Sequence, residues 1–247
     1  MKRTVISTAL GTLTVAAVLS VALLAKAEDA KPRYPKMAPL EQYLIADRNA
    51  EIALARSAAP EAISRDATVL ILGRHGYETA VNGKNGFVCM VERGWTDAID
   101  WPDLWNPKIL GPDCLNAAAA RSLLPIVYKM TAMVLAGHSE AEITAALKAA
   151  FQKKELPALE PNAMSYMMSK SAYLTDDDHH NLAHVMFFTT LSDGRVWGAD
   201  LPKSPIGSSS FWFPNDDDKA QAHGLPPIRI FIVGVKRWSD GTLQQVK

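Results

Sequence analysis

Cysteine is nearly absent: Cys89 and Cys114 are the only two in 247 residues. An isolated pair in one domain reads as a disulfide closing a loop of about 25 residues, with two separately buried thiols as the alternative, and not as a metal site. No cysteine lies near the N-terminal apolar segment, which excludes a lipid-modified cysteine there. Net charge is missing too, because Lys plus Arg and Asp plus Glu number 26 each. A balanced surface lacks the basic footprint of a nucleic-acid binder, and no nucleic-acid partner is expected. Beyond residue 25 no apolar run reads as long enough to span a bilayer. There is no internal repeat and no complete catalytic or ligand motif, so the sequence leaves an enzymatic role undecided.

What is present begins at the N-terminus. Lys2 and Arg3 precede an uncharged run from Thr4 to Ala25, and Ala25-Lys26-Ala27 places small residues before Glu28. This is the form of an export signal spanning residues 1–27, with a periplasmic or secreted destination. Retained instead of cut, the same run would serve as a membrane anchor. Cleavage would remove three basic residues and no acid, leaving 23 basic against 26 acidic residues, a net of −3. Residues 28–39 hold Pro32, Pro35 and Pro39 among charges and read as an extended tether.

The remainder, 40–247, reads as one domain. Residues 40–58 are good helix formers ended by Pro60. Residues 68–72, Thr-Val-Leu-Ile-Leu, form a continuous apolar run expected to be a strand buried on both faces. Residues 77–81 and 87–91 flank Asn82-Gly83-Lys84-Asn85-Gly86 and predict a hairpin. Residues 94–114 carry Trp95, Trp101 and Trp105 and read as an ordered loop, whose tryptophans either pack on the sheet or wall a ligand. Asn116 caps a helix over 117–136 that contains Pro125, and Ser139 with Glu142 has capping-box spacing for the next helix. Strands are expected at 164–168, 184–190 and 228–235, with a turn at Asp193-Gly194 and a long loop over 201–227. Helix, strands, two helices and strands in that order predict an α+β domain with a mainly antiparallel sheet.

Three short segments resemble catalytic or metal signatures. Leu72-Gly73-Arg74-His75-Gly76-Tyr77-Glu78-Thr79 resembles the Arg-His-Gly-Glu-Thr signature of the histidine phosphatases, with Tyr77 inserted. The resemblance implies His75 as phosphoryl acceptor and Arg74 as its anion-binding partner; the bland alternative is an exposed strand end. Gly137-His138-Ser139-Glu140-Ala141 resembles the nucleophile elbow of the α/β-hydrolases, with Ala141 in the last glycine position. That likeness implies Ser139 as nucleophile with His223 as base; the alternative is a helix cap. Asp176, His180 and His184 form a candidate zinc or calcium site, and His180-Asn181-Leu182-Ala183-His184 resembles the zincin motif with Asn181 in the glutamate position. No cofactor is required by any of these readings except the last.

The region from 40 to 241 also resembles a group of exported bacterial proteins without assigned activity. The likeness is carried by residues 73–80, by Gly86-Phe87-Val88-Cys89, by Trp105-Asn106-Pro107, and by Arg237-Trp238-Ser239-Asp240-Gly241. It implies export and one domain, and brings no reaction. The leading expectation is a non-catalytic binding or envelope-associated protein, whose partner is an unknown small molecule or an envelope component. The serine hydrolase, histidine phosphatase and zinc-binding readings stand as alternatives.

Overall fold

The computed structural model describes residues 33–96, 98–177, 182–191, 193–213 and 217–244. The expected export signal, and the start of the expected tether, lie outside them. Eight strands form a single sheet: β1 (Thr68–Gly73), β2 (Gly76–Val81), β3 (Val88–Glu92), β4 (Gly111–Leu115), β5 (Met164–Met167), β6 (His184–Thr189), β7 (Ile206–Ser210) and β8 (Arg229–Gly234). Their order is β2-β1-β3-β4-β5-β6-β8-β7. Only β1 and β3 run parallel, so the sheet is mainly antiparallel and the chain is α+β. The helices are α1 (Arg48–Arg56), α2 (Glu61–Ser64), α3 (Ala117–Leu135), α4 (Glu140–Gln152) and α5 (Asp217–Ala222).

Strand alternation assigns the central residues to two different cores. Val69, Cys89, Val91 and Cys114 face one way, against Ala55 of α1 and the following Ala58 and Ala59. The alanines let the helix lie close to the sheet, and the Cys89–Cys114 disulfide sits there, joining directly paired residues of β3 and β4. Leu70, Leu72, Met90 and Leu115 face the opposite way, into a larger core with α3, α4 and the buried rings of Trp95, Trp105 and Trp212. Each fully buried aliphatic side chain stabilises the fold by roughly 1.5–3 kcal/mol.

Local signals account for the two main helices. The Asn116 side chain accepts from the Ala119 N–H at the start of α3. Ser139 and Glu142 make both halves of a capping box on α4. By length and composition alone α3 is apolar enough to cross a membrane, contrary to the sequence expectation, but half of its most apolar window is buried inside the domain. Its apolar character serves the core.

Four expectations need correction. The hairpin is not 77–91 around Asn82-Gly83: β2 pairs with β1 through the tight turn at Arg74-His75, and β3 lies on the other side of β1. The Asn-Gly segment is a crossover, held by the Lys84 N–H to the Asp66 carbonyl at 2.9 Å. A side chain at Gly83 would collide with the backbone of Ala67 and Thr68, so glycine serves close approach there. Second, the loops expected at 94–114 and 201–227 contribute β4 and β7. Third, helix 40–58 is split into a 3-10 turn at Leu40–Gln42 and α1, because Asp47 caps a fresh start while Tyr43 turns into the core. Fourth, residues 33–39 are docked: Tyr34, Met37 and Ala38 pack on the main core, and the Ala38 N–H donates to the Tyr43 hydroxyl.

Candidate functional site

Between α3 and the sheet face formed by β4, β5, β6 and β8 lies a cavity of about 290 Å³. Leu123 and Val127 of α3 form its roof. Its floor is built by the alternate residues of each strand: Leu115, Met167, Met186 and Ile232 among them. Trp101, from the tryptophan-rich segment, lines it too. A side chain at Gly111 would press on Leu174 and Met167, so that position keeps the β4 end of the cavity passable. An engineered apolar cavity of about 150 Å³ admits benzene, and this one is nearly twice that size.

The wall carries one conspicuous polar group. Asp113 is 1% exposed, and its Oδ1 has no hydrogen-bond partner within the protein. β4 places it there by alternation, since Cys114 turns to the α1 face and Asp113 and Leu115 turn to the α3 face. Burial pushes its carboxyl up to about 7, outweighing the Ser165 hydroxyl and the Cys114 backbone N–H, which act the other way. Neither Asp113 Oδ1 nor the buried Ser165 Oγ completes a hydrogen bond. The buried indole N–H of Trp101 lacks an acceptor as well.

The other charged lining residues differ. The Arg93 guanidinium donates to the Tyr43 carbonyl (2.8 Å), the Val91 carbonyl (2.6 Å) and Glu51 Oε1 (2.8 Å). Glu51 Oε1 also accepts the Leu72 N–H, in the gap where β1 and β3 separate after their two paired positions. His184 is buried on β6, and its Nδ1 donates to the Leu182 carbonyl at 2.7 Å. Desolvation holds its imidazole below the usual range, so it is neutral at pH 7.

The residues singled out from the sequence are scattered. Arg74 and His75 form the exposed β1–β2 turn, with Arg74 paired to Glu41 at 2.9 Å. Ser139 is the α4 cap, and its hydroxyl donates to Glu142 Oε2 at 2.8 Å while accepting the Glu142 N–H. His223 is exposed and stacks on Phe213 with ring centroids 5.4 Å apart. No hydrogen bond joins Ser139 to His223 among the described residues. Asp176 is engaged by donors at both oxygens: Tyr173, Lys108 and Asn106 at Oδ1, Tyr34 and Arg33 at Oδ2. These hydroxyl donors and cations hold its carboxyl well below the ordinary range. Asp176 therefore fastens the N-terminal segment to the domain, and its oxygens are occupied by protein donors instead of facing a metal. His180 lies outside the described residues. His184 faces the cavity, away from any acidic group of three that could hold an ion among the described residues.

Sequence reading passed over Asp113. The signal was present: an acid next to a half-cystine in Leu110-Gly-Pro-Asp-Cys-Leu115, where burial of the cysteine on one face commits its neighbour to the other. No family model, curated protein or solved structure matches the chain.

Proposed function

We propose that this is an exported, non-catalytic binding protein that holds a small, largely apolar molecule in the cavity between α3 and the sheet. One observation carries the reading: a carboxyl with a bare oxygen is retained in the wall of a largely apolar cavity. Burying a polar group without a partner costs about 1–3 kcal/mol, and a purely structural core would replace it with an apolar residue. Ligand pockets combine such apolar walls with few polar groups. The disulfide and the basic-apolar N-terminal segment support an oxidising compartment outside the cytoplasm.

Native mass spectrometry of the protein from its producing host, with thermal-shift measurement against small apolar compounds, tests the reading. Met186→Trp, which fills the cavity, is expected to abolish the thermal shift while the variant stays folded. A compound that stabilises both proteins equally would place binding elsewhere. A second reading is acid–base catalysis, favoured by a carboxyl near neutrality beside His184 in one cavity. It requires turnover that Asp113→Asn eliminates without loss of ligand binding.

A further inference from the structure

The charge inventory of the cavity wall specifies the occupant more closely, resting on the reading of that cavity as a ligand site. Its charged and titratable members are Glu92 and Arg93 at the end of β3, Asp113 on β4 and His184 on β6; α3 presents only Leu123 and Val127. Arg93 uses donors on all three guanidinium nitrogens, and its charge is matched by Glu51. His184 is neutral. No lysine lines the space. Asp113 Oδ1, by contrast, meets no donor from the protein. An anionic ligand would meet the Asp113 carboxylate in a low-dielectric space, where like charges repel strongly. A neutral hydrocarbon would leave both Asp113 Oδ1 and the Trp101 N–H unsatisfied.

We propose that the occupant is a small amine with an apolar body and one hydrogen-bond acceptor, its ammonium donating to Asp113 and its acceptor taking the Trp101 indole N–H. The two orphaned groups call for one donor and one acceptor, and the Leu, Ile, Met and Phe side chains that make up most of the wall call for hydrocarbon. A charge-assisted hydrogen bond is roughly twice as strong as a neutral one. The ammonium also favours the ionised carboxyl, so binding near pH 6 expels a proton from Asp113.

Isothermal calorimetry on the full chain with three near-isosteric probes tests this. The probes are 2-phenoxyethylamine, 2-phenoxyethanol and phenoxyacetate. The amine is expected to bind roughly tenfold tighter than the alcohol, and phenoxyacetate weakest. At pH 6, titrations in buffers of different ionisation enthalpy are expected to show proton release with the amine only. Asp113→Asn is expected to equalise amine and alcohol while alcohol binding survives. Equal or tighter binding of the alcohol or the carboxylate by the unaltered protein would overturn the amine assignment and leave the cavity reading standing. Binding of none of the three up to millimolar concentration would overturn both. The three-probe comparison and the proton count use the unaltered protein, so they hold even if the variant misfolds.

Discussion

Two carboxylates in this domain are equally buried, at 1% exposure, and live in opposite circumstances. Glu51 sits where β1 and β3 part, and its Oε1 receives both the Arg93 guanidinium and the Leu72 amide. Asp113 sits two strands away, over the cavity, with an oxygen that receives nothing. The first region is closed: helix α1, its alanines, the disulfide and the Glu51–Arg93 pair fill it. The second region surrounds a cavity with a largely apolar wall, in which one acid has an unanswered oxygen. Depth of burial alone therefore says little about a residue's role. A satisfied buried acid holds the fold together, and an unsatisfied one beside an empty volume points to chemistry from outside.

The comparison can be broken most forcefully at Glu51. Glu51→Ala leaves Arg93 buried and unpaired, and is expected to cost about 3–5 kcal/mol in urea unfolding. A loss under about 1 kcal/mol would show that the closed region is not held by this pair. Reduction of Cys89–Cys114, in the same region, should lower stability by about 3 kcal/mol on the chain-entropy model, with a mass increase of two hydrogens.

Asp113 should respond with the opposite sign. Its carboxyl is raised from 3.8 to about 7 by burial, so folding favours the protonated form. Its contribution is most favourable below about pH 4, declines as pH rises from about 4 to about 7, and is least favourable above that. Asp113→Asn removes this decline. It is expected to stabilise the protein by about 2 kcal/mol at pH 8 and to change little at pH 4, as measured by unfolding at both values. A loss at pH 8 would mean that the ionised carboxylate has a partner after all.

The smallest effects belong to the signatures that resembled catalytic sites. Ser139→Ala removes one cap of α4 and should cost about 1 kcal/mol. Fluorophosphonate labelling is expected to be absent before and after that change; labelling lost in the variant would restore the hydrolase reading. His75→Ala, at an exposed turn, should stay within about 0.5 kcal/mol of the parent.

Legibility followed the range of the determining forces. The α4 capping box, the Asn116 cap and the apolar run of β1 were readable because each is decided within a few residues. The Asn82-Gly83 segment misled because its local turn chemistry is real, yet β1 takes the place between β2 and β3. β4 and β7 were missed because Gly-Pro-Asp-Cys-Leu and Ile-Gly-Ser-Ser-Ser have little strand preference of their own. They are strands because neighbouring strands satisfy their backbone groups. Asp176 looked like a metal ligand in an acidic run, and only folding brings Tyr34, Asn106 and Lys108 to it.

By itself the sequence determined the α+β class, the principal helices and their caps, and the pairing of its two cysteines, since composition, periodicity and capping act locally. The tertiary structure alone decided which buried acid is answered and which is not. Glu51 and Asp113 are both carboxylic acids in chain segments that give no hint of their partners. Arg93 reaches Glu51 across 42 positions, while the strand alternation that sends Cys114 to the α1 face sends Asp113 to the cavity. Partnership between distant side chains is a property of packing, and packing is where the candidate site resides.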